Sequence, residues 1–199
     1  MKDLFNQLLE TIEITVFDPF RFLEMQENRK KNLSITEKII ILLAAISVAA
    51  GSIYLTPPYS GSFMYSIPAT SLLLFLFLGI LPGFMGAFLD YSIRFRKDRK
   101  DHLLAMVHGA KILLVVFIFF MPVAVVLVQF GVSGGWAYFL LLLFFIAFYI
   151  YLLGNLTSIL YEIKPVEALA ISAKVFLTTL AFPLLFDFVF GHSLVTLIK

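Results

Sequence analysis

Residues 94–130 read RFRKDRKDHLLAMVHGAKILLVVFIFFMPVAVVLVQF, and the fold follows from this stretch. Arg94, Arg96, Lys97, Arg99 and Lys100 crowd its opening, and from Leu103 to Phe130 only His108, Lys111 and Gln129 interrupt an apolar run. A helix needs about 20 such residues to cross a bilayer, so this run is long enough. The basic cluster at its entrance sets a direction as well, because lysine and arginine in short connections stay on the cytoplasmic side.

The same pattern extends outward from this stretch. Upstream, a span is expected over about 68–91, with Gly79, Pro82, Gly83 and Gly86 favouring a kink and close helix contact; Gly79, Gly83 and Ala87 form a stripe of small residues. Before it, Ser34 and Glu37 have the spacing of a capping box and open a span over about 35–55, which ends ahead of Pro57 and Pro58. Downstream, spans are expected over about 136–161 and 165–190, with Pro165 suited to a first helical turn and Pro183 to a bend. The third span itself is expected as one helix over 103–130, with Pro122 in its outer half. The expected fold class is therefore all-α, a polytopic membrane protein of five transmembrane helices.

Lysine and arginine placement orients these spans. Lys2, Arg21, Arg29, Lys30, Lys31 and Lys38 precede or open the first span, whereas residues 56–66 and 131–135 carry no basic residue and the tail after Gly191 has only Lys199. The N-terminus belongs in the cytoplasm and the C-terminus outside. Tyr54, Tyr59, Tyr65, Trp136 and Tyr138 then fall near the outer interface, where amphipathic rings are favoured.

Residues 1–34 form a separate cytoplasmic or interfacial segment ahead of a transmembrane domain over 35–199. Leu4, Phe5, Leu8, Leu9, Ile12 and Val16 recur at helical spacing among polar residues, which predicts an amphipathic helix. Asp18 and Pro19 start a second, carrying Phe20, Phe22, Leu23 and Met25 up to the basic run Arg29, Lys30, Lys31. The opening residues mix acids with leucines and so do not read as a cleaved signal peptide.

Composition agrees: 61% of the 199 residues are apolar and 14% charged, with 23 phenylalanines, a surface that water would not tolerate and lipid would. The net charge of +2 is too small to suggest a nucleic-acid partner, and none is expected; the absence of cysteine excludes disulfides and thiolate metal sites.

The Asp18, Pro19, Phe20, Arg21 start, the five spans with short outer links and the basic link leading through Lys97 to Pro122 resemble the Yip-domain family. The likeness covers nearly the whole chain and rests on layout more than on a rigid motif. It implies a small five-span protein, which in eukaryotes associates with prenylated small GTPases in vesicle traffic. The Asp-Leu-Tyr-Gly-Pro motif of that branch is missing here, so the expectation is a divergent bacterial relative in the cytoplasmic membrane.

Polar groups inside hydrocarbon are costly, so their positions are the best functional clue. Lys111 and Lys174 each lie roughly 12–14 Å from the cytoplasmic ends of their helices, at about 1.5 Å per residue. Glu167, Lys174 and Thr178 share one helix face; His108 precedes Lys111 by one turn; Asn155, Ser158 and Glu162 line another face; and Asp90 closes the second span. Asp90, His108, Lys111, Asn155, Ser158, Glu162, Glu167 and Lys174 are thus expected to form a polar layer in the cytoplasmic half. It is read either as a structural network of ion pairs, as an anion or lipid pocket, or as an ion path. Arg94, Arg96, Lys97, Arg99 and Lys100 are the expected anionic-lipid contact. Asp187 and His192 could pair at the outer interface. Gly131, Val132, Ser133 and Gly134 match the Gly-x-Ser-Gly text of rhomboid proteases, although five spans are too few for that chemistry. Asp98 and His102 stand amid basic residues that repel cations, so no metal is expected, nor a cofactor or a catalytic residue.

The function expected on these grounds is a non-enzymatic membrane scaffold or adaptor whose partners are lipids, other membrane proteins or further copies of itself. A small permease or transport subunit is the alternative, and an intramembrane serine hydrolase stands last.

Overall fold

The computed structural model describes the backbone of residues 33–56, 63–97 and 102–198, and the side-chain surroundings of 35–56, 67–95 and 102–181. Within these bounds every regular element is helical: α1 (Leu33–Leu55), α2 (Phe63–Lys97), α3 (Leu103–Ile112), a 3-10 segment (Leu113–Phe119), α4 (Phe120–Gln129), α5 (Gly135–Tyr161) and α6 (Pro165–Ile198). Four stretches are long and apolar enough to cross a membrane: Ile35–Leu55, Ile67–Phe95, Leu103–Gln129 and Gly135–Tyr161. The chain is therefore read as a multi-pass membrane protein. The amphipathic helices expected between Leu4 and Lys31 lie outside the described residues.

Two helices exceed their expected bounds. α2 begins at Phe63 and continues to Lys97, because nothing between Ser92 and Lys97 breaks a helix and basic residues suit its C-terminal end. α6 passes through Gly191 to Ile198 rather than stopping near 190. A lone glycine costs a helix only about 1 kcal/mol relative to alanine, and Leu194, Val195, Leu197 and Ile198 follow it.

The third span occupies the middle of the bundle. α1 packs on α2 and along the whole third span, α2 packs on α3 and α6, and α5 covers the other side of the third span and holds α6. Accordingly Met106, Ala110, every residue of Ile112–Phe117, Phe120 and Ala124 are buried. The opposite extreme is the outer face of α2, where Leu73, Phe77, Ile80, Phe84, Phe88, Tyr91 and Phe95 recur at three- and four-residue steps and are all exposed. Such a stripe suits lipid and not water.

Glycine sets the closest helix approaches, though not where the small-residue stripe suggested. A Cβ on Gly86 would stand 2.7 Å from Val107 Cα, so α2 and α3 touch backbone to backbone there. Gly79 has no atom within 4 Å of such a Cβ, and at Gly83 the nearest is Lys111 Cε at 3.5 Å. The contact line is thus nearer the basic link than Gly79 would place it, because α2 crosses α3 at Gly86.

The third span is not one regular helix. Seven consecutive residues, Leu113–Phe119, are 3-10, an unusual length for that form. Pro122 has no N–H to give the Ile118 carbonyl four residues back. Ser47 on α1 resolves the conflict: its hydroxyl donates to Ile118 O (2.8 Å) and accepts from the Met121 N–H (2.9 Å). One buried serine thereby satisfies two backbone groups that hydrocarbon could not.

Candidate functional site

The polar side chains gather at the end of the bundle that bears the basic link, where α2 and α5 finish and α1, α3 and α6 begin. Asp90, 2% exposed, lies seven residues before the end of α2. Its Oδ1 accepts the hydroxyl of Tyr161, the last residue of α5, and the backbone N–H of His102 at 3.1 Å, just ahead of α3. The His102 ring stands edge-on to Tyr161, with centroids 5.3 Å apart and planes at 85°. A carboxylate bonded by a phenol and an amide is well satisfied without a cation. It ties together the ends of three helices.

A second buried carboxylate lies nearby. Glu37 on α1 is 5% exposed, and its Oε1 contacts Nδ1 of His108 on α3. The Glu37 side chain is 7% exposed and that of His108 37%. The ring is therefore engaged at Nδ1 while the side chain as a whole stays partly open to its surroundings. One turn further along α3, on the same face, Lys111 is half-buried, with its stem beside Gly83 of α2. Among the described residues no hydrogen bond or ion pair holds its ammonium.

The single polar layer expected from sequence is thus divided. Asp90 lies in one cluster, His108 pairs with Glu37, and Lys111 stands one turn from His108 with its stem beside Gly83. Asn155 is half-buried on α5. Ser158 serves the helix end: its hydroxyl donates to Ile163 O (2.7 Å), and Glu162 turns the chain at φ 51°, so Glu162 is exposed at the turn. Glu167 and Lys174 do share a face of α6, but that face is exposed, because Ala168, Ser172, Val175 and Phe176 occupy the side turned toward the bundle. Ser172 meets Thr157 of α5 at 3.4 Å, and a Cβ on Gly154 would stand 3.0 Å from Leu169 Cα, so α5 fixes which way α6 turns. Arg94 is exposed; the surroundings of Arg96, Lys97, Arg99 and Lys100 lie outside the described residues, as do Asp98 and the side chains of Asp187 and His192.

At the opposite end Ser133 is exposed in the turn between α4 and α5, flanked by Gly131 (φ 78°) and Gly134 (φ 100°). The Gly134 N–H is already donated to Leu55 O at 2.7 Å, which closes the end of α1 and leaves that amide unable to serve an oxyanion.

Sequence reasoning missed Glu37, Tyr161 and Ser47. Glu37 was readable as a capping residue for Ser34, yet an acid two places inside an apolar run also signals a buried partner. Tyr161 closes an apolar helix where a phenol suits the interface. In comparisons with protein-family models, with characterised proteins and with solved structures, nothing matches this chain.

Proposed function

We propose that the chain is a non-enzymatic scaffold or adaptor of the cytoplasmic membrane, with α6 as a fifth span, the basic end in the cytoplasm and the C-terminus outside, a divergent bacterial relative of the Yip-domain proteins. One observation carries the scaffold reading: the buried polar groups bond one another across helices. Asp90 is taken by Tyr161 and His102, Glu37 by His108, Ser47 by the third span and Thr157 by Ser172. Polarity used this way locks helices together. What the molecule then offers to others is its surface, dominated by the apolar stripe of α2.

A second reading, a small transport subunit, draws on Lys111, a half-buried cation within a span and without a partner among the described residues. Purification in mild detergent, followed by mass spectrometry of intact complexes and flux assays in proteoliposomes, separates the two. The scaffold reading expects a stoichiometric membrane-protein companion or a homo-oligomer and no flux. A lone monomer that conducts an ion or solute overturns it.

A further inference from the structure

We propose that His108 and Lys111 form a binding site for a net-anionic phosphate group on the face of α3 that looks toward α1 and α2. The inference goes beyond the scaffold reading and does not rest on it. The three-residue step places both side chains on one face, roughly 5–6 Å apart at Cβ, close enough for the oxygens of one tetrahedral anion to meet both. Glu37 orients the imidazole by engaging Nδ1, so Nε2 is the ring nitrogen left for a ligand, on a side chain that is 37% exposed. A carboxylate that fixes one ring nitrogen so that the other is aimed at a ligand is a recurrent device.

Charge balance selects the ligand. Among the described residues, the titratable groups toward this end of the elements packed against α3 are Glu37 and Lys38 on α1, Asp90, Tyr91 and Arg94 on α2, His102 just ahead of α3 and Tyr149, Tyr151 and Tyr161 on α5. Asp90 is taken by Tyr161 and His102, the Tyr149 hydroxyl donates to Ala110 O at 3.0 Å, and neither is hydrogen-bonded or ion-paired to Lys111. Glu37 is matched to His108. Among the described residues nothing balances the ammonium of Lys111, which lies in a span where a cation would be repelled and a neutral ligand would leave the charge uncompensated. Phosphate accepts charge-assisted hydrogen bonds from both donors at once. Gly83 presents no side chain to the lysine stem, whose Cε would stand 3.5 Å from a Cβ placed there. Leu104, one turn before His108 on the same line and 73% exposed, provides apolar surface beside the site. An acidic phospholipid headgroup and free phosphate share this chemistry.

The test uses the full chain in nonionic detergent, offered phosphatidic acid and phosphatidylcholine of equal chain length and read by native mass spectrometry. Wild type is expected to retain phosphatidic acid about tenfold better, Lys111→Met to lose that preference, and Lys174→Met, which removes an exposed lysine elsewhere, to keep it. Inorganic phosphate is then titrated into delipidated protein. A rise in melting temperature that Lys111→Met abolishes assigns the site to free phosphate as well, whereas no rise beside intact phosphatidic acid retention assigns it to the headgroup. Equal retention of both lipids by wild type with no response to phosphate overturns the proposal, as does undiminished preference in Lys111→Met. Should that variant fail to fold, His108→Gln takes its place with the same two outcomes, since the glutamine amide can still bond Glu37 but, being neutral, gives the anion no charge-assisted hydrogen bond.

Discussion

Asp90 and Glu37 are both carboxylates buried among apolar helices at one end of the bundle, yet their surroundings differ in kind. Asp90 is met by a phenol and a backbone amide, from two different helix ends, whereas Glu37 is met by an imidazole that is itself partly open to its surroundings. The first arrangement is closed: both donors are committed and the ends of α2, α3 and α5 depend on it. The second joins α1 to α3 and, among the described residues, leaves a neighbouring ammonium uncommitted. Stability is thus concentrated at Asp90, and freedom to engage something else at Glu37 and His108.

Substitutions at the two acids set this contrast against measurement. Asp90→Ala should have the largest effect, lowering the unfolding free energy in mild detergent by about 3 kcal/mol, because it strands the Tyr161 hydroxyl and the His102 amide in a dry site. Tyr161→Phe removes one of those bonds and should cost about 2 kcal/mol, since the lost donor served a charged acceptor. Ser47→Ala, remote from both acids, should cost about 1.5 kcal/mol by releasing the Ile118 carbonyl and the Met121 amide. Glu37→Gln should cost least, below about 1 kcal/mol, as the amide oxygen still accepts from the ring. Chemical denaturation of each variant under one detergent condition ranks them. If Glu37→Gln proves as damaging as Asp90→Ala, the two sites are equivalent and the distinction fails.

The four described spans were legible because lipid demands long apolar helices, and Leu103–Gln129 or Gly135–Tyr161 announce themselves by length alone. The faces were less so. Glu167 and Lys174 were correctly placed on one side of α6, but whether that side looks inward is decided by where Gly154 lets Leu169 approach, a fact of pairing and not of period. Likewise Asp90 was visible as a polar group at a span's end, while its partner Tyr161 lies 71 residues away and no local pattern links them. The irregularity of the third span did have a local signal, Pro122, whose effect reaches back into the preceding residues through the missing amide.

That irregularity changes the rotational phase of the span. A 3-10 turn closes in three residues where an α turn takes 3.6, so each of the seven residues advances about 20° more than its α counterpart and α4 emerges roughly 140° away from where an unbroken helix would aim it. The two halves of this crossing are therefore indexed independently, and a single helical wheel cannot describe the headings of both. The actual heading of Phe120, toward Gly51 on α1 and the rings of Tyr138 and Phe145 on α5, exists only while the overwound segment persists.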